Sequence, residues 1–508
     1  MQVCFPRPSA LRTGAAAIAL LSPFTSGVGG QVPPAFQAAG VPALEIAVRE
    51  VPLEQARDGI KWESLAIGPD GRRVAYATGK GAGLAGLVLQ PLFMGKSGSF
   101  RMVVDGRESP EYVALSVATF SPDGSRVAYA AVSGTKMLDA LGRPLGRRQQ
   151  FVVLNSEDGA AYDEVEAAVF SPDGQRLAHK ARRDKKWVVV VDSVEGKWYE
   201  GVGDPVFSPD GRRLAHGAKR DGKVVIVLDG VEGAPHDGAS RPVFSPDGSR
   251  LAYIAHDGET SHLVDGEKVT PVSHLATSVV RSPDGTRLAF LVEKKKAKKW
   301  SVVVDGQESS DYDEASSVAF SPDGRRYAYT AKRGKQGLVV VDGVEGAVYG
   351  DVGWLRFSPD GRRYAYTAKR GKQGLVVVEG AEGKPYERVG QPVFSPDSRS
   401  VAYLARDGKQ EHVIVNDVPG PGFDAVGALT YGPDGRHLAY EARVGQAWRL
   451  VVDGVAGPEY GRVGELPEHE WRQFVYGWTF SSPDDIWYVG RRGDSIVRWE
   501  VTVRPPGP

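Results

Sequence analysis

The chain has 508 residues, and its 63 Lys and Arg are balanced by 63 Asp and Glu, so the formal net charge is zero. That balance argues against a general nucleic-acid binder, which needs a surplus of basic side chains. A hydrophobic share of 41% with 25% charged residues excludes wholesale disorder.

At the N-terminus, Arg7 and Arg12 precede an apolar run from Ala15 to Phe24, followed by Ser26, Gly27, Gly29 and Gly30. A positive start, a short apolar core and a small-residue exit match a secretory signal. Residues 1–30 are therefore expected to be removed and the mature protein exported, to a periplasm or to the medium. No stretch approaches about 20 apolar residues, so no transmembrane segment is expected. The single cysteine, Cys4, precedes the apolar run. A mature chain without it has no disulfide, no cysteine metal site and no cysteine nucleophile. Within residues 31–60, Leu44, Ile46 and Val48 alternate with Glu45, Ala47 and Arg49, the period of a half-buried strand over about 44–51.

From residue 61 to 500 the chain is repetitive. Ser-Pro-Asp-Gly or a near copy recurs with its proline at Pro69, Pro122, Pro172, Pro209, Pro246, Pro283, Pro322, Pro359, Pro396 and Pro433, and in degraded form at Pro483. Arg325–Val341 repeats letter for letter as Arg362–Val378, the mark of tandem duplication. One unit reads as four strands. Val318-Ala319-Phe320 enters the Ser321-Pro322-Asp323-Gly324 turn, in which Pro presets φ and Gly supplies positive φ. Tyr327–Thr330 is the second strand, and Lys332 to Lys335 form a polar tip. Leu338–Val341 is a third strand, apolar as a doubly covered strand should be. Asp342-Gly343 is a favoured hairpin dipeptide, and Ala347–Tyr349 is the fourth strand. Units this small must stack on one another, and radial stacking of four-stranded units gives a β-propeller.

The predicted fold is therefore all-β, a propeller of about eleven four-stranded antiparallel blades, with residues 501–508 as a tail. The last unit has strands around Trp478–Phe480, Ile486–Tyr488 and Ile496–Arg498 but no clear fourth. The 44–51 strand is expected to complete it and close one ring. Most propellers have 4 to 8 blades, so two tandem rings of five and six blades are the alternative.

The Phe-Ser-Pro-Asp-Gly-x-Arg-x-Ala-Tyr core resembles the WD40-like repeat of TolB-type propellers, over roughly residues 62–500. The same repeat occurs in propeller domains of some oligopeptidases. The resemblance implies the fold and an envelope-associated binding scaffold. Its motif residues are structural and imply no activity. No Gly-x-Ser-x-Gly elbow is present, so the peptidase activity of those relatives is not carried over.

Departures from the repeat mark a candidate binding surface. Insertions lie at Gly81 to Gly98 (with Leu89, Phe93 and Met94), at Met137 to Gln150 (with Arg147 and Arg148) and at Pro467 to Tyr476 (with His469 and Trp471). The first two sit at second-to-third strand tips and the third in a connection between blades, all on one face of a propeller. Irregular loops on a rigid scaffold usually carry function; neutral decoration is the alternative. Basic tips on the same face, such as Arg182, Arg183, Lys185 and Lys186 or Lys294 to Lys299, alternate with acidic connections and read as a solvated rim or as steering for an anionic partner. The Pro-Asp aspartates are turn residues, not calcium ligands. Trp187 and Trp300 read as packing. His179 and His216 stand where other units carry Tyr, and read as aromatic packers or, as the weaker alternative, a metal pair.

The expected function is a non-catalytic scaffold that binds a protein, peptide or envelope polymer, acts as a monomer and carries no cofactor. A propeller lyase or hydrolase with a channel site, and a scaffold without its own ligand, are the competing readings.

Overall fold

The computed structural model describes residues 45–80, 99–133, 149–166, 168–445, 447–460, 478–492 and 495–504. These form eleven small antiparallel sheets and no helix. Blade 1 consists of Ile60–Ile67, Val74–Lys80, Ser99–Val104 and Arg107–Glu108. Blade 7, the unit read above, consists of Glu314–Phe320, Tyr327–Arg333, Gln336–Val341 and Val344–Tyr349. First strands carry a register shift, as between Ser316 and Ala319. In blade 3 the same irregularity splits the strand into Glu164–Val165 and Val169–Phe170. First strands of neighbouring blades touch one another, so they form the inner wall of the ring.

The blades make one ring. Blade 11 contributes Trp478–Phe480, Asp485–Arg492 and Ser495–Arg504, and Glu45–Gln55 lies antiparallel to the last of these as its fourth strand. The seam back to blade 1 is apolar: Trp487, Val489 and Ile496 pack with Leu65, Val74, Tyr76 and Val103. Rings of five and six blades would part at the seam after blade 5 or blade 6. Both are filled, the first by Ala252 and Ile254 against Phe290 and Val292, the second by Ala289 and Val302 against Leu338 and Val340. Burial of a side chain such as Leu338, 1% exposed, is worth about 1.5–3 kcal/mol.

The repeated motif explains how the seams are held. In blade 7, Ser321 Oγ donates to Asp323 Oδ1 at 2.6 Å and accepts from the Arg326 backbone N–H at 2.9 Å. Asp342 (φ 50°) and Gly343 (φ 82°) make the tight turn between third and fourth strands. Asp342 accepts from the Tyr327 N–H at 2.9 Å and from Arg326 Nε at 2.8 Å. Arg326 then reaches across the seam: its Nη1 donates to the Arg362 carbonyl at 2.5 Å, and its guanidinium lies 5.9 Å from the Phe357 ring centroid of blade 8. Arg73, Arg126, Arg176, Arg213, Arg250, Arg287 and Arg363 likewise donate to a turn carbonyl of the next blade. The aspartates of the Ser-Pro-Asp-Gly turns serve their own turns, as their spacing predicts.

Two outcomes follow. Arg326→Ala should lower stability by about 1–2 kcal/mol, from a charge-assisted hydrogen bond and a cation–π contact. Arg325→Ala, whose parent side chain is 85% exposed, should change it by less than about 0.5 kcal/mol; urea unfolding compares the two. Hydrogen bonds from serine hydroxyls hold the Asp123 and Asp247 carboxyls down at about 2. Their folded value lies below the unfolded value of about 3.9. The stability they contribute is thus complete above about pH 4 and is lost as pH falls toward about 2. Thermal midpoints recorded across that range should fall there.

Candidate functional site

Second-to-third strand tips and the connections between blades share one face of the ring, and the Ser-Pro-Asp-Gly and Asp-Gly turns share the other. The described strands that flank the three segments all end on the first face. Lys80 pairs with Ser99 in blade 1, and Ser133 pairs with Gln149 in blade 2. The third insertion follows Val455–Tyr460 of blade 10 and precedes Trp478–Phe480 of blade 11. Blades 10, 11, 1 and 2 are consecutive around the ring, with a shared apolar seam at each junction. Leu89, Phe93, Met94, Arg147, Arg148, His469 and Trp471 themselves lie outside the described residues, as do the proposed signal segment and Cys4.

Acidic side chains of the connections and of the fourth strands neutralise part of the basic tips. Arg182 pairs with Glu164 at 2.6 Å, Arg183 with Glu195 at 3.1 Å, Lys223 with Asp237 at 2.5 Å and Lys299 with Asp313 at 2.7 Å. Exposed lysines remain without an ion pair among the described residues: Lys185 and Lys186 in blade 3, Lys219 in blade 4, and Lys295, Lys296 and Lys298 in blade 6.

His179 and His216 occupy tyrosine positions in the packing. His179 meets Tyr162 edge-on at 6.2 Å, and His216 meets Tyr199 at 6.2 Å. Tyr329 meets Tyr312 in the same way at 6.0 Å. Burial pushes the His179 imidazole down to about 4 and lowers His216 as well. Among the described residues no three His, Cys, Asp or Glu side chains cluster as a metal site. His216 also lines a cleft of about 410 Å³ between blades 3 and 4, with Arg176, Asp192, Lys197, Tyr199 and Asp229. Trp187 and Trp300 are the second residues of third strands that begin at Lys186 and Lys299, and Trp187 lies under the Arg182 guanidinium at 5.7 Å.

One arrangement escapes a sequence reading. Lys180, with 12% of its side chain exposed, bridges Glu166 of its own inner strand at 2.6 Å and Asp204 at the start of blade 4 at 2.7 Å. Burial opposes its charge, but the two carboxylates outweigh it and raise its pKa. Its signal in the sequence is a lone Lys where the neighbouring units carry Ala130 and Gly217.

Comparison with known proteins gives no match to any protein-family model and none among curated proteins. Solved structures give distant likenesses. TolB from Acinetobacter baumannii is 15% identical, covering 60% of this chain and 81% of that one, with a TM-score of 0.22. The β-propeller domain of the Trilobed protease from Pyrococcus furiosus is 13% identical, covering 54% and 95%, with a TM-score of 0.29. The Cps50 (Swd1) β-propeller domain from Myceliophteria thermophila is 15% identical, covering 49% and 94%, with a TM-score of 0.24.

The buried histidine yields a prediction. A folded pKa of about 4 against about 6.5 in the unfolded chain makes His179 cost stability as pH falls from about 6.5 to about 4. His179→Tyr installs the residue that most other units carry, such as Tyr129 and Tyr329, and should remove that portion of the acid sensitivity. Thermal melts of both proteins at pH 7 and pH 4.5 measure it; an unchanged difference between the two pH values would contradict the assignment.

Proposed function

We propose that the protein is an exported, non-catalytic β-propeller that binds a protein, peptide or envelope polymer on its decorated face. What supports this reading is that the repeat is interrupted in four consecutive blades, each time between described strand ends that lie on the same face. The opposite face is committed to the repeated turns and their arginine contacts, which leaves little there to vary. The unpaired lysines on the decorated face favour a partner with negative charge. The packing of His179 and His216 against tyrosines favours a structural role over the metal-dependent lyase reading.

The test is capture of a partner from envelope extract by the mature protein and by a variant lacking Pro467 to Tyr476. The intact ring should capture a partner, and the deletion should lose it while keeping its thermal midpoint. A deletion that fails to fold, or captures equally well, would sink the assignment of the face. Replacing Lys185 and Lys186 of blade 3, next to the interrupted blades, with Ala should weaken capture and reduce its salt dependence.

A further inference from the structure

Blades 7 and 8 are copies, since Phe320–Val341 and Phe357–Val378 are identical letter for letter. The identity stops at the inner strand. Glu314–Phe320 reads Glu-Ala-Ser-Ser-Val-Ala-Phe, whereas Asp351–Phe357 reads Asp-Val-Gly-Trp-Leu-Arg-Phe. The copy that preserved the second and third strands therefore carries Trp354 where its sister has Ser317, and Arg356 where its sister has Ala319. Both differences fall on the strand that forms the inner wall.

The backbone presents the tryptophan. Trp354 has φ 50°, a left-handed conformation disfavoured for a bulky residue, and Ser317 has φ 55° at the same place. The next residue, Leu355, is 6% exposed in the seam with blade 7, while Trp354 is 54% exposed. Arg356 is also exposed and has no ion-pair or hydrogen-bond partner among the described residues. A Cβ added at the preceding Gly353 would meet only Thr367 Oγ1, at 3.7 Å, so the wall beside the indole is open. In blade 9 the corresponding residue is Gln391, whose Oε1 is buried without a hydrogen-bond partner. Ser317, Trp354 and Gln391 thus succeed one another along the inner wall.

We propose that this stretch of wall is a binding site for a uronic-acid saccharide. The indole offers a flat apolar face to the C–H face of a sugar ring. The Arg356 guanidinium matches a carboxylate in bidentate fashion. The site is separate from the decorated face and does not depend on the role proposed for it.

Calorimetric titration with trigalacturonate, and with neutral maltotriose beside it, tests the site. Trigalacturonate should bind saturably and more tightly than maltotriose. Trp354→Ser, which installs the sister blade's residue in the same backbone conformation, should weaken trigalacturonate by about tenfold or more, as loss of a central aromatic anchor does. Arg356→Ala should abolish the preference for trigalacturonate. Both variants should keep the parent's urea midpoint and its capture of an envelope partner. Absence of saturable binding by either saccharide, or trigalacturonate binding unmoved by Trp354→Ser, would overturn the site. Equal affinity of the parent for the two saccharides would overturn the assignment to an acidic sugar.

Discussion

The ring depends on one side chain repeated around it, the arginine that follows each Ser-Pro-Asp-Gly turn. In most blades its Nε holds the carboxylate that shapes the outer hairpin of its own blade, as Arg326 holds Asp342 at 2.8 Å. A terminal nitrogen holds a carbonyl of the next blade, and at most of these seams the guanidinium plane lies over that blade's Phe. One guanidinium thereby ties two turns of one blade to one turn of its neighbour. Lysine offers neither the fork nor the flat face. Because each contact joins equivalent atoms of successive units, it sets nearly the same angle at each seam where it occurs, which suits a ring of many blades.

The contact is missing over a continuous arc. At the seam from blade 9 to blade 10 the arginine is replaced by Ser400, which receives a hydrogen bond from Asn416 at 3.2 Å within its own blade. At the next seam His437 stands in its place, 2.6 Å from Asp453 and 3.5 Å from Asp484 of blade 11. At the closing seam Trp487 lies so close to Gly71 (φ 69°) that a Cβ there would fall 2.3 Å from the indole, and Glu45–Gln55 fastens the two ends of the chain. This arc overlaps the blades that carry the insertions. The regular contact thus gives way in the same part of the ring where the repeat itself is interrupted.

Much of this architecture is legible in the sequence because many copies of one unit agree. The Pro-Asp-Gly turns, the strand period and the Asp342-Gly343 hairpin are local, and local chemistry determines them. Whether the blades form one ring or two is not local. It follows from side-chain packing at seams such as Ala289 and Val302 against Leu338 and Val340, and from an arginine whose second partner is a backbone carbonyl in another unit. The motif displays that arginine in copy after copy without revealing its reach. The candidate site is less legible. The insertions announce themselves by breaking the repeat, but Trp354 stands out only when two identical blades are compared strand by strand, and its exposure comes from a backbone conformation that one copy alone does not signal.

Amide hydrogen exchange, resolved blade by blade, tests the central role of the arginine contact most directly. The inner strands Ala425–Tyr431 and Trp478–Phe480, beside Ser400 and His437, should exchange faster than Glu314–Phe320 and Asp351–Phe357, which follow arginine-held seams. Equal protection around the ring, or slower exchange beside Ser400 and His437, would contradict the account.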